Sequence, residues 1–179
     1  MKILYLGNKK NRKIFCFLSN YGEVFFHNKE FRLLDFRKFE WIISYGYRFI
    51  IPKDNIKNLK NPIINLHISY LPFNRGAHPN YWSFKENSPK GVTIHFIDSG
   101  VDTGPILVQK KQAFNEKDTL QTSYLKLKLT IEELFCNSFP KIITKQIMPR
   151  PQVGDGSFHL KKDLPENINW NTKIKDISK

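Results

Sequence analysis

Short apolar runs separated by polar, glycine-containing or proline-containing segments recur along the first third of the chain. The runs at residues 3–6, 24–26, 41–45 and 62–67 each have the length and composition of a buried strand. Residues 8–20, between the first two runs, are long enough for a helix, so strand and helix alternate. This alternation predicts an α/β fold with a mostly parallel sheet.

The middle of the chain has a different pattern. Residues 69–89 contain three prolines and several aromatic residues, which predicts an ordered loop leading into a short helix near residues 80–86. The segments 91–98 and 106–111 have the composition of strands and are separated by turn residues. We therefore expect two further strands in the sheet.

A long helix is predicted near residue 120, with Asp118 or Thr119 as its N-cap. Its apolar positions recur at helical spacing and predict one buried stripe that packs on the sheet. The stripe consists of Leu120, Tyr124, Leu127, Ile131, Leu134 and Phe135. Because the residues from 148 onward lack periodicity, we expect one domain over 1–147 and an irregular tail over 148–179 packed on it.

The composition excludes some classes of protein and favours others. A chain of 179 residues that is 40% hydrophobic can bury its own core, which excludes a disordered tail and a disulfide-stapled mini-protein. The net charge of +13 favours an anionic partner, such as nucleic acid, a membrane surface or a phosphorylated substrate. An AT-rich coding bias explains the excess of lysine equally well, since asparagine and isoleucine are also abundant.

The cysteines and the apolar segments indicate a compartment. Cys16 and Cys136 lie in apolar stretches, so we expect two buried thiols in a reducing environment. The first apolar run is too short for a signal peptide, and no segment reaches the roughly 20 apolar residues of a membrane span. The sequence therefore predicts a cytoplasmic protein with no membrane partner.

Three polar residues have the types needed for acyl-transfer chemistry. Asn65 and His67 end a predicted buried strand and, being two residues apart, point to the same side. Asp102 lies in a tight turn between later strands. The Asn amide would donate to an oxyanion, the His would handle the proton of an amine, and the Asp would orient the His. Taken singly, each has a structural explanation: a cap for Asn65, a hydrogen-bonded strand end for His67, and a turn former for Asp102.

The segments around these residues share a pattern with a known family. Residues 65–72 read Asn-Leu-His-Ile-Ser-Tyr-Leu-Pro, an Arg-Gly pair follows at 75–76, and residues 102–104 read Asp-Thr-Gly. This combination resembles the folate-dependent formyltransferases of methionyl-tRNA, glycinamide ribonucleotide and nucleotide-linked sugars. The resemblance extends from Ser44 to Lys111. It implies a Rossmann-like fold with helices flanking the sheet, and N10-formyltetrahydrofolate as formyl donor, with no metal.

The resemblance also implies residue roles. It makes Asn65, His67 and Asp102 the catalytic residues, and we expect Asp102 to raise the pKa of the His67 imidazole. The residues expected to line the folate pocket are Arg48, Ile50, Ile97, Ser99 and Asp102. A plain core position explains Ile50 and Ile97 as well as a pocket role does.

Aromatic residues after the Arg-Gly pair favour the sugar-modifying branch. The implied acceptor is a nucleotide-linked amino sugar of cell-surface polysaccharide synthesis, such as that of lipopolysaccharide or O-antigen. The residues expected to bind it are Ser69, Arg75, Tyr81 and Trp82, with Arg75, Lys85 or Lys90 at its diphosphate. Packing explains Tyr81 and Trp82 equally well, and a solvated surface position explains each basic residue.

Other functions stay open at this point. A hydrolase releasing formate from the same folate needs the same trio, and a nucleic-acid or partner-binding module needs none of it. Too few residues follow Asp102 for a tRNA-binding domain, which favours a small-molecule partner over nucleic acid. The spacing of His67, His78 and His95 fits no compact zinc motif.

Two expectations concern the shape of the protein. Only 64 residues precede Asn65, which is fewer than is typical of the resembled family. This predicts a shortened N-terminal part, with one strand-helix unit missing between Glu23 and Trp41. A homodimer formed through the last helix and the tail is the expected assembly.

Overall fold

The apolar runs of the sequence form strands. The computed structural model describes residues 1–8, 11–30, 35–57 and 59–177. The strands within these ranges are β1 (Lys2–Gly7), β2 (Glu23–His27), β3 (Trp41–Tyr45), β4 (Ile64–His67), β5 (Arg75–Gly76), β6 (Gly91–Phe96), β7 (Ile106–Lys111) and β8 (Phe158–His159). Six of them form one sheet in the order β2-β1-β3-β4-β6-β7, and β5 pairs with β8.

Strand directions make the main sheet mostly parallel. β1 pairs in parallel with both β2 and β3, and β4 joins β3 in parallel with Asn65 opposite Ser44. β6 runs antiparallel to β4, and β7 runs antiparallel to β6. The predicted α/β fold is confirmed. The carboxyl ends of β1, β3 and β4 therefore meet at one edge, where open α/β sheets place their sites.

The helices in the described residues are α1 (Arg12–Ser19), α2 (Lys53–Ile56), α3 (Pro79–Lys85) and α4 (Leu120–Ile143). Of the two residues predicted as the N-cap of the long helix α4, the structure has Thr119 in that position. Its hydroxyl accepts from the backbone N–H of Thr122 at 3.2 Å, and the Thr122 hydroxyl accepts from the Thr119 N–H at 2.8 Å. This reciprocal capping box satisfies two N–H groups that the helix itself leaves unpaired.

The long helix α4 covers one face of the sheet together with α1. Leu127, Ile131, Phe135 and Phe139 lie in the same core cluster as the inward side chains of the strands. Tyr124, which the pattern assigns to this stripe, is instead 41% exposed. The assignment was wrong because Leu120, Ser123 and Leu127 form the buried side of this end of α4, and Tyr124 lies beside that side.

The opposite face of the sheet has a smaller core and thinner cover. Its buried side chains are Leu4, Leu6, Phe36, Ile42, Ile51 and Ile63. The described part of the connection from β2 to β3 contains one 3₁₀ turn, Phe36–Lys38, and no helix. The one-turn helix α2 (Lys53–Ile56) packs Ile56 on this cluster, so short segments cover this face.

The last part of the chain returns to the domain core. Its strand β8 pairs in parallel with β5, and 3₁₀ turns follow at Lys161–Asp163 and Ile174–Asp176. Ile177 packs in a third cluster with Tyr81, Phe84 and Leu120. The tail thus contacts both α3 and the beginning of α4, while the domain boundary at residue 148 stays a prediction.

The cysteines correct one expectation. Cys16 is exposed and Cys136 is half-buried, and both are free thiols. The prediction of two buried thiols was wrong because Cys16 lies on the outer side of the amphipathic α1, whose buried residues are Ile14 and Leu18. Across the described part of the chain, no helix combines the length and the apolar character needed to cross a membrane.

Candidate active site

Two of the predicted catalytic residues lie on β4, at the carboxyl edge of the sheet. Asn65 is half-buried, and His67 is 8% exposed. Since side chains two apart on a strand point to the same face, both project to the same side of the sheet. Apolar Ile64 and Leu66 alternate with them and are buried.

A tight turn supplies the third residue. Asp102 has a left-handed backbone, with φ of 53°. Asp98 organises the turn, because its carboxylate accepts from the Gly100 N–H at 3.0 Å and from the Thr103 hydroxyl at 2.6 Å. The turn also requires Gly104, since a Cβ there would lie 1.9 Å from the carbonyl oxygen of Phe96.

The structure brings the three side chains together. Asn65 Nδ2 donates to Asp102 Oδ1 at 3.1 Å. The Nδ1 atom of His67 lies 3.7 Å from Asp102 Oδ2, and that same carboxylate oxygen accepts from the Gly76 N–H at 2.9 Å. The Asp102 carboxylate is thus the centre of the cluster.

A fourth polar residue, His95 on β6, completes the cluster. It is 1% exposed and lies directly opposite Asn65 in the antiparallel pair of β4 and β6. His95 Nε2 is 3.1 Å from Asn65 Nδ2 and 3.4 Å from Asp102 Oδ1, and its Nδ1 is 2.8 Å from the carbonyl of Phe96. With Nδ1–H donating to that carbonyl, Nε2 accepts from Asn65. Both N–H groups of the Asn65 amide are then engaged inside the cluster.

The loop from β4 to β5 holds the other side of His67. His67 Nε2 lies 3.2 Å from the carbonyl oxygen of Asn74, a buried residue with a left-handed φ of 56°. Ser69 is 3% exposed, and its hydroxyl donates to the carbonyl of Phe73. The Ser69 carbonyl accepts from the Thr93 hydroxyl at 2.6 Å. Ser69 therefore shapes this loop, and its buried hydroxyl does not extend toward an acceptor.

Burial and neighbouring groups together lower the pKa of both Asp102 and His67, but for different reasons. Burial opposes ionisation of Asp102, but the nearby His67 and His95 outweigh it and keep the pKa of the carboxyl well below its usual range. Burial lowers the pKa of His67, and this effect exceeds the opposing attraction of Asp102. Asp102 acts to raise the pKa of His67, as expected, but the desolvation cost in this closed site is larger, so the net shift is downward.

A cleft of about 330 Å³ lies over the carboxyl ends of β1 and β3, at the edge of the sheet where β4 also ends. Of the residues predicted to line the folate pocket, Arg48 lies in its wall. Ile50 is 83% exposed, so the alternative of a core position is wrong for it. Ser99 is exposed in the loop before Asp102, whereas Ile97 is half-buried and packs on the smaller core.

The residues predicted to bind the acceptor are mostly engaged elsewhere. Arg75 donates to the backbone carbonyls of Pro72 and Asp155. Tyr81 is 9% exposed in the third core cluster, so packing explains it, and Trp82 stacks on His159 at 4.0 Å. Lys90 donates to the Ser88 carbonyl at 2.8 Å. Tyr81 thus packs in the core, and its role in acceptor binding stays a prediction.

The part of the chain that forms this cluster also matches a known protein family. The formyl transferase family model matches residues 20–152, a range that includes the whole Asn65, His67 and Asp102 cluster. The chain belongs to the formyl transferase family.

Two curated formyl transferases are similar to parts of the chain. The methionyl-tRNA formyltransferase of Thermodesulfovibrio yellowstonii is 39% identical over 141 residues, which is 77% of this chain and 46% of that protein. The dTDP-4-amino-4,6-dideoxyglucose formyltransferase of Mycobacterium bovis is 28% identical over 72% of this chain and 54% of its own length. The chain thus spans about half the length of these curated relatives.

A solved structure is similar over nearly the whole chain. It is the formyltransferase PseJ from Anoxybacillus kamchatkensis, in complex with UDP-4,6-dideoxy-4-formamido-L-AltNAc and tetrahydrofolate. PseJ is 43% identical, with a TM-score of 0.90, and the match covers 99% of this chain and 97% of PseJ. Both the formyl transferase fold and the length of this chain therefore agree with those of PseJ.

Some residues of the formyl transferase site carry no signal of their own in the sequence. His95 is found only once β6 is known to run antiparallel beside β4, which sets it opposite Asn65. Gln152 lies in the tail, yet its Nε2 donates to the carbonyls of Asp102 at 2.8 Å and Gly104 at 2.9 Å. Such contacts between distant residues follow from strand order and chain return, not from local pattern. Across the described ranges, no three His, Cys, Asp or Glu side chains are arranged to hold a metal ion.

Proposed function

We propose that this chain transfers the formyl group of N10-formyltetrahydrofolate to the amino group of a UDP-linked amino sugar. The observation that carries the proposal is the cluster of Asn65, His67 and Asp102 at the carboxyl edge of the sheet. The acceptor is inferred from PseJ, whose complex contains a UDP-linked 4-formamido sugar together with tetrahydrofolate. Since PseJ aligns along almost its whole length, it supports this acceptor class more strongly than the shorter matches do.

The cleft over β1 and β3 fits a flat aromatic donor. Phe49, in its wall, is 41% exposed, and the neighbouring Ile50 projects into solvent. An exposed apolar pair beside a cleft offers the surface that a pterin ring needs. Arg48 adds a cation to the same wall, which suits an anionic substrate. When bound, the folate supplies an activated formyl carbon.

His67 is proposed to take the proton of the attacking amine. Burial keeps the imidazole neutral near pH 7, because it lowers the pKa of His67 below its usual 6.5. The Nε2–H then donates to the Asn74 carbonyl, which leaves the Nδ1 lone pair to accept a proton. Asp102, only 3.7 Å away, stabilises the imidazolium that forms.

The bond changes balance with this assignment. As the amine nitrogen bonds to the formyl carbon, the carbonyl oxygen gains negative charge, and the amine loses a proton to His67. The carbon–nitrogen bond to the donor then breaks, and His67 returns the proton to the departing nitrogen. An N–H donor at the oxyanion contributes on the order of 3 kcal/mol to such a step. Asn65 is placed for this role once one of its two N–H groups leaves its partner in the cluster.

The decisive experiment is an acceptor panel analysed by mass spectrometry. The protein is incubated with N10-formyltetrahydrofolate and, separately, with the UDP-linked 4-amino form of the PseJ sugar, a dTDP-linked 4-amino sugar, methionyl-tRNA, or no acceptor. A formamido product from the UDP sugar alone supports the proposal. Turnover without an acceptor supports a formate-releasing hydrolase, and tight RNA binding without any turnover supports a binding module.

Methionyl-tRNA is the second candidate acceptor. The observation that favours it is the 39% identity with the Thermodesulfovibrio yellowstonii enzyme over 141 residues. That stretch spans less than half of the relative, so it reports on the shared formyl-transfer core more than on acceptor recognition. Formylation of methionyl-tRNA in the panel would establish this alternative.

We place the reaction in the cytoplasm and its product in cell-surface polysaccharide synthesis, such as that of lipopolysaccharide or O-antigen. Two free cysteines are consistent with a reducing compartment. The proposed partner is a small molecule, with neither nucleic acid nor membrane taking part. A homodimer through α4 and the tail is supported by exposed Leu125, Leu129 and Trp170, and light scattering in solution tests it.

A further inference from the structure

A polar network outside the catalytic cluster surrounds Asn74. This residue is fully buried, and each of its side-chain polar atoms has a partner. Its Oδ1 accepts from the Ser88 hydroxyl at 2.7 Å, and its Nδ2 donates to Glu86 Oε2 at 3.0 Å. Its backbone N–H donates to the Ser157 hydroxyl at 3.0 Å. The left-handed backbone of Asn74 is therefore fixed by groups from α3, the following loop and the tail.

Glu86 is the charge at the centre of this network. One carboxylate oxygen, Oε2, accepts from both Asn74 Nδ2 and the Ser157 hydroxyl, the latter at 2.9 Å. The other oxygen, Oε1, pairs with His159 Nε2 at 2.8 Å. The His159 ring stacks on Trp82 with an angle of 7° between the planes. A single carboxylate thus ties the loop after β4 to two residues of the tail.

The tail also fixes the backbone of this loop. The N–H groups of Arg75 and Ala77 donate to the carbonyls of Ser157 and His159, each at 2.9 Å. Between them, the Gly76 N–H points the other way and donates to Asp102 Oδ2. A Cβ on Gly76 would lie 2.4 Å from the His159 carbonyl, so the two segments are in close contact.

Two backbone groups of this loop contact the catalytic cluster. The Asn74 carbonyl is the partner of His67 Nε2, and the Gly76 N–H is a partner of the Asp102 carboxylate. Any shift of residues 74–76 therefore changes both partners at once. Because small displacements of reacting groups reduce catalysis steeply, the anchor of this loop matters for rate and not only for stability.

We propose that Glu86, acting with Ser157 and His159 of the tail, is a positioning residue for His67 and Asp102. The Glu86 carboxylate fixes the left-handed backbone of Asn74, and the Asn74 carbonyl then fixes the position of His67 Nε2. The expected effect of these residues on catalysis rests on the proposed function. Their effect on the position of His67 concerns the free protein and does not depend on that function. None of the three residues needs to touch a substrate in this role.

The test compares Glu86→Ala with Glu40→Gln. Glu40 serves as a control because its carboxylate also accepts a hydrogen bond, in its case from the backbone N–H of Lys2 at 3.2 Å, but at the opposite edge of the sheet. In Glu86→Ala we expect kcat to fall by on the order of tenfold to a hundredfold with little change in KM, as for a displaced catalytic group. Glu40→Gln keeps the wild-type kcat. A wild-type kcat in Glu86→Ala overturns the proposal.

Nitrogen-15 NMR of the His67 imidazole in the free protein gives a second readout. The Asn74 carbonyl favours the protonated ring, alongside Asp102 and against the effects of burial and His95. Glu86→Ala is therefore expected to lower the titration midpoint of His67 and to weaken the Nε2–H signature. An unchanged His67 titration overturns the positioning role. Since no substrate is needed, this result stands even if the wild-type protein does not transfer formyl groups.

If Glu86→Ala does not fold, the same two measurements are made on Ser157→Ala. It removes one hydroxyl that both accepts from Asn74 and donates to Glu86, while the contact of Glu86 Oε1 with His159 Nε2 remains. A smaller loss of kcat with a shifted His67 titration supports the proposal. Wild-type values for both measurements overturn it.

Discussion

Asn65 Nδ2 and His95 Nε2 lie 3.1 Å apart, directly across the antiparallel pair of β4 and β6. The amide nitrogen of Asn65 is thereby fixed between a buried histidine and the Asp102 carboxylate. These two side-chain contacts fix the orientation of the Asn65 amide plane. His95 is therefore expected to matter for activity although it does not need to reach a substrate.

His95→Phe is predicted to reduce kcat roughly tenfold to a hundredfold. Phenylalanine fills the same space, but it leaves one N–H of Asn65 without an acceptor, a defect of about 1–3 kcal/mol in a buried site. Formyl transfer measured at saturating acceptor checks this. His78→Asn is the control, because Asn tolerates the left-handed φ of 53° at that position. Equal activities in the two variants would remove His95 from the site.

Asp102→Asn is predicted to abolish most formyl transfer, with a loss on the order of a hundredfold or more in kcat. The variant keeps the shape of the side chain but removes the charge that stabilises a protonated His67, at 3.7 Å. The measurement is single-turnover transfer with the folded state checked by circular dichroism. Asp163→Asn, which alters only the cap of Leu160 in the tail, is the control. Near-normal transfer in Asp102→Asn would contradict the assignment.

The pH dependence tests the role of His67. Because burial lowers the pKa of His67 below 6.5, the ring is neutral at pH 7, and kcat should rise from acid to a plateau with a midpoint below 6.5. Asp102 stays ionised over this range, since its pKa is held lower still. A kcat that falls between pH 6 and 8 would instead show that the imidazolium is the active form. The same shift affects stability: its contribution is complete above pH 6.5 and is lost as the pH falls through the folded-state pKa.

Much of the fold and the trio could be predicted from the sequence, and the reasons are local. Buried strands give apolar runs, and Asn65 and His67 on one strand follow from a period of two. β5, with only Arg75 and Gly76, is too short for any pattern, so its pairing with β8 could not be predicted. The direction of β6, which sets His95 opposite Asn65, depends on the whole sheet. The pattern predicts a buried strand at His67, but the desolvation that outweighs Asp102 in setting the pKa of His67 depends on how the whole site closes.

Phe139→Ala is predicted to lower the free energy of unfolding by about 3–5 kcal/mol. Phe139 is fully buried and packs against Phe135 with ring centres 5.1 Å apart. Glu133→Ala on the same helix is the control, because Glu133 is exposed and its replacement should change stability by less than about 0.5 kcal/mol. Urea unfolding followed by fluorescence measures both. Similar losses in the two variants would contradict the packing of α4.

Cys16 is predicted to react with a thiol reagent before Cys136. Cys16 is exposed, whereas burial raises the pKa of the half-buried Cys136 and so reduces its thiolate fraction. Timed labelling of the native protein, followed by peptide mass spectrometry, separates the two. Cys16→Ser serves as the control and should leave only the slow phase. Faster labelling of Cys136 would contradict its partial burial on α4.

The pairing of β5 with β8 makes the site depend on a segment that is synthesised after the main sheet. Asn74 finds its partner Ser157 only 83 residues later, after every strand of the main sheet and all of α4 have been made. A ribosome-bound chain can therefore form its sheet before the loop beside His67 has anything to hold it. Chains that stop short of residue 152 would retain the two core clusters on the faces of the sheet, but they would lose both the third cluster and the contacts that hold the loop beside His67, so emergence of the tail is the step that completes the site.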